Sequence, residues 1–182
     1  MLESLKGLGY AGLLRPVGQT LDNLRIDSFT VISDADGFIV RDKTRNRAQL
    51  TPREKAFLSE LSASHSALKA KQDALRLASG IVEWHLTAAD IERLEKVGRE
   101  RRRDGEQFAD AHSMSQILRS IGEIVDQKRG RLISVSKVEN LVTVEFLTTA
   151  GRLISENYTL AMIYNFWVRS YKRRAARNGA TA

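Results

Sequence analysis

The sequence predicts a mixed α+β fold: two α-β-β-β-α repeats sharing a mainly antiparallel sheet, with helices on one side and a helical insertion in the first repeat. Three observations lead to it. Residues 13–31 align on residues 117–135 without a gap and keep six identities in 19 positions, Leu14/Leu118, Arg15/Arg119, Gly18/Gly122, Asp22/Asp126, Arg25/Arg129 and Val31/Val135. In both stretches the helical spacing of apolar residues gives way to alternation, the change of period that marks a helix followed by a strand. Each half also closes on a threonine-capped segment, and the two align through Thr87/Thr159, Ala89/Ala161, Ile91/Ile163, Leu94/Phe166, Arg101/Arg173 and Arg102/Arg174.

The first repeat spans residues 1–103. Gly7, Gly9 and Gly12 weaken a helix and Pro16 suits a first turn, so the first helix is expected to begin near Pro16. Residues 26–33 and 38–42 form a hairpin around Asp34-Ala35-Asp36-Gly37, where Asp-Gly is expected to supply positive φ. Thr51-Pro52-Arg53-Glu54 combines an N-cap, a first-turn proline and a reciprocal glutamate. It opens a helical insertion over 52–79, with Phe57, Leu58, Leu61, Leu68 and Leu75 as its apolar stripe. Residues 80–86 are the third strand, Thr87-x-x-Asp90 caps a helix to about Arg103, and residues 104–112 are a linker.

The second repeat, 113–182, is more regular. Ser113-x-x-Gln116 starts a helix whose apolar face is Ile117, Leu118, Ile121, Ile124 and Val125, ending near Gly130. Leu132, Val135 and Val138, then Leu141 to Leu147, make two strands around a Glu139-Asn140 turn, and residues 152–158 add a third. Thr159 caps a last helix to about Arg174, followed by a basic tail. Either half alone would bury a marginal core, which favours one shared sheet over two small domains.

Composition narrows the function. A hydrophobic fraction of 42% with 28% charged residues supports a folded chain. No apolar run approaches the roughly 18 residues of a membrane span, and Met1 to Lys6 lacks a basic segment followed by an apolar one, so a cytoplasmic protein with no membrane partner is expected. The absence of cysteine removes disulfides, thiolate nucleophiles and thiolate metal sites. The net charge of +7 is concentrated in residues 113–182, which carry 11 basic against 5 acidic groups. Such an excess attracts phosphate polymers or an anionic surface.

Gly7-Leu-Gly9-Tyr-Ala-Gly12 spells a G-x-G-x-x-G pattern, but only six residues precede it where a dinucleotide fold needs a strand. Asp34-x-Asp36-Gly37 would place Ile32 and Lys43 at the first and last ligand positions of a calcium loop, and lysine cannot replace the bidentate glutamate. His65, His85 and His112 fall on the insertion, a strand and the linker, with no two at metal-ligand spacing, so no metal and no cofactor is expected. Glu83 and His85 share one strand face, as do Glu156 and Tyr158, and a small acid–base cluster from these four is the main opening for catalysis. The expectation leans away from an enzyme.

Leu50-Thr51-Pro52-Arg53-Glu54 resembles the opening of the helix-turn-helix domain of LuxR-type transcription regulators over about ten residues, whereas Ser62 to Gln72 offers no second-helix turn or recognition helix. The α-β-β-β-α order of residues 113–177 resembles the double-stranded RNA-binding domain in topology. That family grips phosphates with lysines at the start of its last helix, and here the matching stretch is Tyr158-Thr159-Leu160-Ala161-Met162. Neither family is assigned.

Arg169, Lys172, Arg173, Arg174 and Arg177 end the last helix and Arg101, Arg102 and Arg103 end its counterpart, the latter diluted by Glu100, Asp104 and Glu106. They are the candidate phosphate contacts of a non-catalytic binding protein that holds nucleic acid through its basic C-terminal region. The alternative is a structural or adaptor subunit that oligomerises, or docks on a protein partner, through the last helix. Tyr164, Trp167 and Tyr171 lie there with Leu160 and Ile163 on a broad apolar face that Met162, Phe166 and Val168 widen, so the helix is expected to be buried on more than one side. Trp167 aligns with Glu95, read as a solvent-type position.

Overall fold

A computed structural model of the chain describes residues 7–62, 80–103 and 112–179. In chain order these form α1 (Gly9–Asn23), β1 (Phe29–Asp34), β2 (Gly37–Asn46), a 3-10 turn (Arg47–Gln49), α2 (Pro52–Ser62), β3 (Ile81–Thr87), α3 (Ala88–Arg103), α4 (Met114–Gln127), β4 (Arg131–Val138), β5 (Leu141–Leu147), β6 (Leu153–Thr159) and α5 (Leu160–Gly179). The six strands make one open antiparallel sheet in the order β3-β2-β1-β4-β5-β6. The rest of the expected insertion with His65, and the linker up to residue 111, lie outside the described residues. Among the described residues no helix is long and apolar enough to cross a membrane.

The two halves of the sheet join where β1 pairs β4, with Val31 opposite Val135. From that pair one row of side chains crosses the sheet as Trp84, Val40, Val31, Val135, Val144 and Glu156. Because strand side chains alternate between faces, this row and its neighbours put Phe29, Phe38, Leu86, Val142 and Phe146 on the same side. All five are buried, in one core with Leu14, Val17 and Leu21 of α1 and Leu118, Ile121 and Val125 of α4. Lys137 also sits on this side opposite Phe29, with 1% of its surface exposed, and its Nζ donates to the Asp27 carboxylate and carbonyl at 2.7 and 3.0 Å. The other face carries Thr30, Ile32, Ile39, Arg41, Glu83, His85, Ser134 and Glu145.

Helices α1 and α4 cross with their backbones in contact. A Cβ on Gly18 would lie 2.4 Å from the Ser115 Cα, and one on Gly122 would lie 2.4 Å from the Tyr10 carbonyl carbon, so only glycine fits at either place. The crossing carries a reciprocal pair of caps. Asp22, in the last turn of α1, accepts from the Met114 and Ser115 amides at 2.7 and 3.0 Å. Asp126, in the last turn of α4, accepts from the Tyr10 and Ala11 amides at 2.8 and 3.1 Å. Each carboxylate is ill placed on its own helix dipole and well placed at the amino end of the other.

This contact corrects the expected start of the first helix. α1 begins at Gly9, with Pro16 inside it, because its exposed amides are satisfied by a carboxylate more than a hundred residues away. The G-x-G-x-x-G pattern thus does open a helix that holds an anion, but the anion is the chain's own Asp126. Both helices end alike: Arg25 and Arg129 take left-handed φ of 53° and 52°, while Ile26 and Gly130 donate back to the carbonyls of Leu21 and Val125.

The first hairpin departs from expectation as well. Among the described residues positive φ falls on neither Asp36 nor Gly37. Gly37 is needed for space, since a Cβ there would lie 1.8 Å from the Leu86 carbonyl oxygen of β3. In the second hairpin the positive φ, 52°, belongs to Glu139. β2 runs on to Asn46, past the expected 42, because buried Asp42 accepts from the amides of Thr44 and Arg45 and from Arg45 Nε. Arg45 reaches on to Glu54 at 2.9 Å and to the Leu24 carbonyl, tying α2 to the end of α1.

Two predictions follow from these contacts. Replacing Asp22 or Asp126 with alanine removes two charge-assisted hydrogen bonds and should cost about 1.5–3 kcal/mol in urea unfolding. Glu54, which accepts from the Thr51 amide and hydroxyl and from Arg45, has its pKa pulled down from 4.5 to about 2. Its folded pKa lies below the unfolded one, so its stabilisation is complete above the unfolded value and is lost as pH falls towards about 2. Unfolding curves of the wild type and Glu54→Gln should therefore converge across that interval.

Candidate functional site

Helix α5 springs directly from the edge strand β6, and the Thr159 hydroxyl at the junction accepts from the Met162 amide at 3.3 Å. At about 100° per residue its side chains fall into three groups. The inward group is Ile163 and Ser170, both buried, with Leu160 and Phe166 packed against the core. The other two groups are the candidate interfaces, and they lie on opposite flanks.

On one flank Tyr164, Trp167 and Tyr171 form a ladder of rings with centroids 5.8 and 6.0 Å apart. His112 extends it, stacked on Tyr164 at 5.9 Å with planes 11° apart. Tyr164 is 42% and Tyr171 49% exposed, and Trp167 between them is half-buried. Among the described residues of the single chain α5 is packed along one side, through Ile163 and Ser170, and its aromatic flank faces outward, where a partner would have to supply any second buried side.

On the other flank Arg169, Lys172 and Arg173 join Met162, Asn165 and Phe166 around a groove of about 690 Å³. All three cations are exposed and none makes an ion pair among the described residues. Among the described residues Arg173 donates only to the Arg169 carbonyl and the Ser170 hydroxyl, both at 3.4 Å. Arg174 and Arg177 follow on the same helix and Arg101, Arg102 and Arg103 end α3, but the side chains of these five lie outside the described residues.

In α3, Glu95, which the sequence alignment sets against Trp167, is only 7% exposed and faces Arg15 of α1 at 3.7 Å, which corrects its reading as a solvent-type residue.

The acid–base residues do not assemble. Glu83 and His85 belong to one edge strand and Glu156 and Tyr158 to the other, on opposite faces of the sheet. Glu83 is held by Arg41 at 2.5 Å. Glu156 accepts from Lys128 at 2.6 Å and from the Tyr158 hydroxyl; its partial burial opposes ionisation, but these two bonds outweigh it and keep the carboxyl below its usual range. Burial, and then that carboxylate, push the Tyr158 phenol up. One grouping that sequence spacing leaves apart does form: His85 lies beside Asp34 and Asp36 of the first hairpin, brought there by the register of three strands.

Comparison of the chain with protein-family models, with curated proteins and with solved structures finds no match.

Since Trp167 is half-buried between exposed tyrosines, Trp167→Ala should cost the isolated chain about 1–2 kcal/mol in chemical denaturation, below the roughly 3–5 kcal/mol of a fully buried aromatic. A loss in the upper range would assign it to the core.

Proposed function

We propose that the chain is a cytoplasmic, non-catalytic binding protein that holds nucleic acid along the basic flank of α5. One observation carries the reading: Arg169, Lys172 and Arg173 share a groove, and no carboxylate among the described residues neutralises them. Phosphates are the complementary charge, and Met162 and Phe166 give the same groove an apolar wall against which a base can lie. The +6 excess of residues 113–182 adds a long-range attraction of the same sign.

The second reading, docking of a protein partner or a second copy, rests on the opposite flank. Exposed tyrosines on either side of Trp167 are the residue types that protein interfaces concentrate. The two readings use different residues of one helix, so they can be separated by mutation.

The same proposal takes residues 1–103 and 113–182 as two copies of one α-β-β-β-α unit. Its support is the exchange of like contacts at the helix crossing, Gly18 with Gly122 and Asp22 with Asp126, and the pairing of Val31 with Val135. On this reading α5 is the terminal helix of the second copy, given over to binding.

Binding of single- and double-stranded DNA and RNA, measured by fluorescence anisotropy over a salt series, tests the function. Arg169→Ser/Lys172→Ser/Arg173→Ser should reduce the slope of log affinity against log salt by about 2–3, the share of three phosphate contacts. Tyr164→Ala should leave that slope unchanged. Absence of binding by the wild type even at low salt would remove the nucleic-acid reading.

A further inference from the structure

We infer that the first hairpin turn and the neighbouring edge strand form a binding site for a divalent transition-metal ion of the zinc type, held by Asp34, Asp36 and His85. Strand register builds it. Asp34 pairs with Gly37, Gly37 with Thr87 and Ile39 with His85, so Asp34 and His85 rise from the same face of the sheet in adjacent rows. Asp36 belongs to the turn between β1 and β2. The His85 Nε2 lies 3.4 Å from Asp34 Oδ2 and 3.3 Å from Asp36 Oδ1. One ligand atom from each residue falls within 4.8 Å of the other two.

The imidazole is what separates this group from an ordinary pair of surface aspartates. Its side chain is 3% exposed against 38% and 40% for the two carboxylates, so a buried ring directs a nitrogen towards two acids that open to solvent. Both nitrogen–oxygen contacts are ion-pair distances, longer than the about 2.9–3.0 Å at which hydrogen bonds centre. Two edges of the group are thus close to the edge of a tetrahedron around an ion with bonds of about 2.0–2.1 Å, which is about 3.3–3.4 Å, and the third lies within 4.8 Å. The ligands are also set in place by bonds of their own. Asp34 Oδ1 accepts from the Ala35 amide at 2.8 Å, which leaves Oδ2 for the imidazole side. The Asp36 carbonyl accepts from the Ala88 amide at 2.9 Å and anchors the turn to the start of α3. Gly37, pressed against the Leu86 carbonyl, keeps the hairpin close to β3.

The donor set selects the ion. Calcium takes about 6–8 oxygens, and magnesium keeps most of its waters in a strict octahedron; an imidazole nitrogen favours zinc and its neighbours over both. Three protein ligands leave a coordination position towards solvent for water or an exchangeable ligand. The site lies at the β3 edge, whereas α5 follows the β6 edge, so it is independent of the nucleic-acid reading.

Isothermal titration of the metal-free full-length chain with ZnCl2, and in parallel with MgCl2 and CaCl2, tests the site, with CoCl2 as a spectroscopic reporter of coordination. One zinc ion per chain is expected, bound at least about 100-fold more tightly than magnesium or calcium, with cobalt giving visible absorption of four-coordinate intensity. Asp34→Asn/Asp36→Asn, at two half-exposed positions and nearly unchanged in size, should weaken zinc binding at least about 10-fold while circular dichroism stays as in the wild type. Should that double variant fail to fold, Asp36→Asn alone is read the same way. No uptake by the wild type at about 100 μM zinc, or uptake by the folded variant as tight as the wild type's, would overturn the proposal.

Discussion

The crossing of α1 and α4 is the contact on which the other elements depend. Two features act together there. Gly18 and Gly122 let the backbones touch, and that closeness brings Asp22 and Asp126 within reach of amides that would otherwise have no partner. Neither feature works without the other: a methyl group at either glycine would push the helices apart and break both caps. Because each helix leads into a central strand, β1 or β4, the crossing also sets how those strands meet beneath it.

From that seam the molecule is organised outward. Each central strand is covered by apolar side chains on one face, each hairpin adds a second strand, and the last strand of each half passes straight into a terminal helix. The two terminal helices then part in character. α3 buries Ile91 in the core and meets α1 through the Arg15–Glu95 pair, whereas α5 commits Ile163 and Ser170 to the core and leaves rings and cations on its two flanks. A helix so loaded with exposed aromatic and basic side chains contributes less to the core than its length allows.

Features governed by neighbours in the chain were legible in the sequence. The Thr51–Glu54 and Thr87–Asp90 caps form reciprocally as their spacing implies, Ser113 accepts from the Gln116 amide while the Gln116 side chain turns to Ser120, and the 164, 167, 171 spacing of the rings matches the ladder. Features governed by distant partners were not. Nothing within ten residues of Gly9 shows that Asp126 will satisfy the start of α1, and nothing around Gly37 shows that Leu86 will press on it. Glu95 looks like a surface residue until α1 is placed beside it. His85 and Asp34 meet only because β2 lies between their strands in one particular register, a fact about pairing that no motif spacing contains.

The seam between β1 and β4 has a consequence for how the chain reaches this structure. Its pairs join residues 29–32 to residues 134–137, while the hairpins on either side join neighbours in sequence. Closing so large a loop carries an entropic cost that the local hairpins avoid, and contacts of high sequence separation slow folding. During synthesis the inner edge of β1 must therefore wait, unpaired, until residues 134–137 have been made. The buried Lys137 stands at this last-closing boundary, where a charge with one specific partner in Asp27 disfavours the wrong strand as much as it accepts the right one.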